Sequence, residues 1–129
     1  MATLTYLDTH VVAWLFAGEL ALLPKAVRLR LEEGDLVISP MVTLELQFLF
    51  EIRRVTRPGL EVVAALAAEL GLRTCDLPFP QVVARAAHQS WTRDPFDRLI
   101  TAQAALREAP LLTKDGDIHT HYPHAVWSG

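Results

Sequence analysis

Thr3–Val12 reads TLTYLDTHVV. Thr3 to Leu7 has the make-up of a short apolar strand, and the helical pattern THVVAWLFAG follows at once, stopping at Gly18. Between the two stands an acid, Asp8. A carboxylate at the end of a strand can serve as the N-cap of the next helix or as one corner of a metal site, and this stretch alone leaves both open.

The same alternation runs through the chain. PKAVRLRLEEG has Pro24 at a helix start and Gly34 at its end, and DLVIS, Asp35 to Ser39, is a second strand. Pro40 opens a long helix, PMVTLELQFLFEIRRVT, ended by RPG at Arg57 to Gly59. LEVVAALAAELG is a helix closed by Gly71, RTCDLP a third strand, and PQVVARAAHQS another helix. DPFDRLITAQAALREA is a helix with Asp94 as N-cap, PLLTKD a fourth strand, and HAVW a candidate fifth. Strands separated by helices pair in parallel through right-handed crossovers. The expectation is one domain over residues 1–129, a three-layer α/β/α fold with a central parallel sheet of four to five strands.

Composition narrows the function. The chain is 51% hydrophobic, with a mean hydropathy of +0.23, which argues against disorder. No apolar run approaches the roughly 18 residues of a membrane span, and MATLTYLDTH lacks a basic n-region and a cleavage site. One cysteine, Cys75, fits a reducing cytoplasm. A net charge of −3 speaks against simple electrostatic binding of nucleic acid, unless a divalent cation inverts the sign of an acidic pocket locally.

Ligands of parallel α/β sheets sit outside the carboxyl ends of the strands, and acids recur there. Asp8 ends the first strand, and Asp115 the fourth, with Asp117 two residues on. Asp94 and Asp97 lie at the start of DPFDRLITAQA. Glu45 is flanked by Val42, Leu44, Leu46, Phe48 and Leu49, and an acid in so apolar a helix carries a desolvation penalty without a partner. Each has an ordinary structural reading: Asp94 as a cap, Asp115 and Asp117 as a turn, Glu45 at an amphipathic edge. Together they suggest more, because clustered carboxylates repel and call for a cation. Hard oxygen donors suit Mg2+ or Mn2+, and such an ion supports phosphodiester hydrolysis by activating water and stabilising the leaving oxyanion.

YLDTHVVAWL, ISPMVTLELQ, RDPFDRLITAQA and LLTKD together resemble the PIN-domain ribonucleases, most of all the VapC toxins of bacterial VapBC toxin–antitoxin pairs. The resemblance spans Leu4 to Trp127, and its most specific part is RDPFDRLITAQA followed by a strand ending in TKD. It implies a Mg2+- or Mn2+-dependent endoribonuclease with metal-binding acids at Asp8, Glu45, Asp97 and Asp115, and auxiliary acids at Asp94 and Asp117. It implies supporting polar residues at Thr9, Ser39 and Thr113. It also implies a homodimer and a VapB-like antitoxin that pushes an Arg or Lys towards the acids. VVAWLF and LQFLFEI are candidates for the groove receiving that antitoxin, or are ordinary core.

Arg93, Arg98 and Lys114 stand beside the acids in sequence, as possible RNA contacts or salt-bridge partners. HTHYPH brings His119, His121 and His124 together in an expected loop, where a zinc site is a minor alternative. A haloacid-dehalogenase-type phosphatase wants a second Asp two residues after the first, where this chain has His10. An alternative of another class is a non-catalytic acidic interaction module of the same fold.

Overall fold

The computed structural model describes residues 2–128. Five strands, β1 (Leu4–Leu7), β2 (Asp35–Ile38), β3 (Arg73–Thr74), β4 (Leu111–Leu112) and β5 (Ala125–Val126), form one sheet in the order β3-β2-β1-β4-β5. Every pairing is parallel, with Tyr6 opposite Val37 on one side and Leu111 on the other. β1 is therefore central, which is why Tyr6 and Leu7 are fully buried. The strand order turns back at β1 and β4. Such a switch point opens a crevice at the carboxyl edge, and Asp8, directly after β1, lies in it.

Among the described residues, seven α-helices flank the sheet: α1 (Thr9–Ala17), α2 (Lys25–Glu33), α3 (Pro40–Glu51), α4 (Gly59–Leu70), α5 (Phe79–Ala86), α6 (Pro95–Leu106) and α7 (Gly116–His121). Sequence chemistry sets their ends. Gly18 and Gly71 close α1 and α4 with φ of 74° and 70°, a left-handed conformation in which glycine carries no Cβ penalty. Ser39 accepts from the Met41 amide ahead of Pro40, so α3 starts where the sequence places it. Leu7, Val12, Val42, Leu46, Ile100 and Leu112 meet in the main core. α5 packs on α6 through a smaller cluster of Val82, Ala86 and Ala102.

Several expectations change: the fourth strand, read over PLLTKD, is only Leu111–Leu112, and the helix read over PQVVARAAHQS ends at Ala86. α3 stops at Glu51 instead of running to Thr56, because Arg53 turns left-handed with φ of 63°. The third strand shrinks from RTCDLP to Arg73–Thr74, although the Cys75 amide still bonds Ile38 O at 2.8 Å. HTHYPH is not simply a loop. Its first half completes α7, which Asp115 caps by accepting from the Ile118 amide, with Ile118 fully buried beneath. The imidazoles of His119 and His121 bond the carbonyls of Thr113 and Asp117.

Candidate active site

Three of the helices around the carboxyl edge of the sheet begin with an acid. Asp8 accepts from the Thr9 amide at 2.8 Å, Asp94 from the Phe96 amide at 2.8 Å, and Asp115 from the Ile118 amide at 2.9 Å. The partial positive charge of a helix start favours the ionised carboxylate, so α1, α6 and α7 each steady an acid against its neighbours. Capping and lining the site are one geometry here, and TLTYLDTHVV required no choice between them.

Asp8, Glu45, Asp94, Asp97, Asp115 and Lys114 line one open cleft of about 440 Å³. His10 and Trp14 complete its wall from α1. Asp8 is the deepest acid, 8% exposed. Its second oxygen accepts from Thr113 Oγ1 at 2.6 Å, and that hydroxyl in turn accepts from the Asp115 amide at 3.1 Å. The Asp8 amide bonds Leu112 O at 3.0 Å, so β4 fixes both the backbone and the carboxylate of Asp8. Glu45 comes in from α3 and accepts from Thr9 Oγ1. Asp97 sits in the first turn of α6, just past its cap.

The remaining sequence candidates are more scattered. Ser39 is buried and serves as the cap of α3. Asp117 is exposed on α7, outside the lining of the cleft. Arg93 donates to Ser90 O and Arg98 to Thr92 O, so both guanidiniums hold the loop before α6. Lys114 alone of the three basic candidates reaches the cleft lining. His10 and Trp14 were not singled out as site residues in the sequence. Their spacing of four puts both on one face of a helix starting at Asp8, which was the available signal.

Burial and crowding act together on the acids. Asp8 and Glu45 are raised above the ordinary carboxylate range, chiefly by desolvation, against the opposing hydrogen bonds from Thr113 and Thr9. Asp97 is pushed up to about 7, first by burial and then by Asp94, Asp8, Asp115 and Glu45. A carboxyl that keeps its proton longer in the folded protein than in the unfolded chain contributes stability that is full below the ordinary value of 3.8. That contribution is lost as pH rises through about 7. The urea midpoint of the metal-free protein is therefore expected to fall between about pH 5 and about pH 8, and to fall less in Mg2+. An equal fall with and without Mg2+ would detach the cation from these acids.

Among the described residues, no three His, Cys, Asp or Glu side chains stand close enough to grip an ion unaided. The donor set nonetheless fits a hard divalent cation. It consists of carboxylates opposite a single Lys, it is open to solvent, and Mg2+ keeps several of its own waters while bound through one or two carboxylates. Thr113→Val strands an oxygen of Asp8 and is expected to cost about 1–3 kcal/mol in urea unfolding. A change under about 0.5 kcal/mol would mean that this buried bond is dispensable.

A second cavity of about 400 Å³ adjoins the cleft and shares His10 and Trp14 with it. Phe16, Leu46 and Leu49 give it an apolar floor, and Arg54 and Arg57 flank it. VVAWLF and LQFLFEI thus contribute to a groove as well as to the core, since Val12 and Leu46 are fully buried.

A parallel α/β sheet with acids gathered at its switch point defines a class of folds, and comparison with known proteins narrows it. The PIN domain model matches residues 5–122. The chain belongs to the PIN-domain family. No curated protein matches it. Among solved structures, it is similar to a chain of a toxin–antitoxin complex from Klebsiella pneumoniae, at 19% identity and a TM-score of 0.66 over 95% of both chains. It is similar to a chain of DNA-bound VapBC from Salmonella typhimurium, at 19% identity and 0.63 over 100% of this chain and 98% of that one. A third is VapBC2 from Rickettsia felis bound to a DNA fragment from its promoter, at 14% identity and 0.64 over 98% and 97%. At these identities the likeness establishes the fold.

Proposed function

We propose that this PIN domain is a Mg2+- or Mn2+-dependent endoribonuclease, the VapC-like toxin of a toxin–antitoxin pair. The observation that carries the reading is the convergence of Asp8, Glu45, Asp97 and Asp115 on one solvent-open cleft, where burial and the neighbouring carboxylates act on Asp97 and a cation would relieve them. A divalent ion bound there supplies water activation and charge neutralisation for phosphodiester hydrolysis.

The chain's own groups divide the remaining work. Asp8, held by Thr9 N–H and Thr113 Oγ1, is the fixed ligand. Glu45 and Asp97, approaching from α3 and α6, complete the donor set, with Asp115 and Asp94 adding negative charge at the rim. Lys114 is placed to meet a non-bridging phosphate oxygen, which the acids alone would repel. Asp117, outside the cleft, is left with the field of the site and no direct ligation.

The partners follow from the same reading. The groove beside the cleft suits a segment of a VapB-like antitoxin, apolar along its length, with an Arg or Lys entering the acids. Leu44, Phe48 and Ile52 are 54%, 47% and 47% exposed at four-residue intervals along α3 and its cap, an apolar stripe that suits a second copy in a homodimer. No helix among the described residues is long and apolar enough to cross a membrane, which is compatible with a protein working in the cytoplasm on cellular RNA.

The test is incubation of purified, partner-free protein with total RNA in Mg2+, in Mn2+ and in EDTA, beside Asp8→Asn. Discrete fragments that need the metal and vanish in the variant support the reading. Equal cleavage by the variant reveals a contaminant, and no cleavage by folded wild type favours a non-catalytic interaction module.

A further inference from the structure

His10 is the first exposed side chain after Asp8, and its ring stands at the join between the acidic cleft and the neighbouring groove. One helical turn on, Trp14 packs against it, with centroids 5.9 Å apart and planes tilted by 46°. Trp14 in turn packs on Trp127, also at 5.9 Å, so the chain end beyond β5 buttresses the pair from behind. Three aromatic rings thus run up to the lip of the cleft, and the outermost presents itself to solvent. Core packing explains Trp14 and Trp127, which are half-buried. It does not explain an exposed His10.

Charge gives the pair a direction. Five acids face Lys114 in the cleft, whereas the groove carries Arg54 and Arg57 against Glu19. A polyanion held at the acids through a cation therefore finds favourable charge by passing over His10 towards the two arginines. Along that path the rings offer flat apolar faces and no row of hydrogen-bonding edges. Such surfaces take unpaired bases irrespective of sequence, because every base has a π-face, whereas bases within a duplex are already stacked on each other.

We propose that His10, backed by Trp14, is a stacking subsite for an unpaired nucleobase next to the phosphate in the acidic cleft. This rests on the nuclease reading for the position of the phosphate. A protein segment occupying the groove would bury the same ring, so base and segment exclude each other.

The test measures binding apart from cleavage, so that the two readings fail separately. A fluorescently labelled unstructured RNA hexamer, and the same hexamer in a blunt duplex, are titrated by anisotropy with wild type, His10→Ala and His10→Phe, in Ca2+ as an oxygen-ligated substitute ion. The subsite requires that the single strand bind more tightly than the duplex. It requires that His10→Ala lose about 5- to 10-fold for the single strand alone, and that His10→Phe, which keeps a flat ring, recover most of it. Circular dichroism of each variant separates this from misfolding, to which an exposed position is little prone. Cleavage assays in Mg2+ should show the same losses in KM, with kcat within about twofold. Unchanged single-strand affinity in His10→Ala, equal affinity for the duplex, or no rescue by phenylalanine overturns the subsite, even if the protein cleaves RNA. Ring-dependent binding without cleavage upholds the subsite and sinks the nuclease.

Discussion

Asp97→Asn is expected to lower metal-dependent RNA cleavage by about 10²–10³-fold, while yielding a protein that folds and, free of metal at about pH 8, is more stable than the wild type. The two halves have one cause. Asp97 is affected first by burial and then by Asp94, Asp8, Asp115 and Glu45 at once. In the cation's presence that field is the attraction that holds the ion, and removing one charge weakens it. Without the ion the same field is repulsion, and the neutral amide relieves it. The gain is set at about 1 kcal/mol, since the group is near solvent and partly screened. Urea unfolding of both proteins in EDTA, beside cleavage in Mg2+, reads the pair of effects. An inactive variant that is also less stable would say that Asp97 is a structural residue whose loss disturbs the start of α6.

The largest effect on stability is expected at the crossing of α3 and α4. Gly59 opens α4 where it crosses α3, and its amide donates to Gln47 Oε1 at 3.1 Å. A Cβ at Gly59 would lie 2.3 Å from Thr43 O and 2.9 Å from Gln47 N, both backbone atoms of α3 that cannot rotate away. Gly59→Ala therefore forces the helices apart, at about 3 kcal/mol and a fall of roughly 10 °C in Tm. Glu45 sits on α3 between those two contact points, so the displacement reaches the cleft. The rise in Tm on adding Mg2+ should shrink in this variant. A Tm within about 1 °C of wild type would mean that the crossing is looser than the close approach implies.

How far these features were legible varied with how local their causes are. Ser39-Pro40 at the start of α3 and Gly18 at the end of α1 act within a single turn, and the sequence placed both correctly. The end of α3 was misplaced because nothing in FEIRRVT is a helix breaker. The stop comes from Arg53 turning left-handed ahead of the tight crossing at Gly59, a tertiary constraint. α7 was missed although its signals were present. Asp115 lies three residues before Ile118, a cap ahead of an apolar anchor, but the histidines that follow looked like a loop. In the site, strand ends and helix starts pointed to acids that do share a cleft. Side-chain direction was not legible. Arg93 and Arg98 stand beside the acids in sequence and bond loop carbonyls, while Lys114 faces the cleft.

The bond from Thr113 to Asp8 joins residues 105 positions apart, and β4 is the neighbour that fixes Asp8 in place. On a translating ribosome Asp8, Glu45 and Asp97 all emerge before that strand does. A nascent chain can build α1 to α4 against β1 and β2 and still lack one wall of the cleft. Forming this long-range contact is thus also the step that completes the cleft. The cleft gains that wall only after β4 has emerged and paired with β1, however early the acids of the other walls are in place.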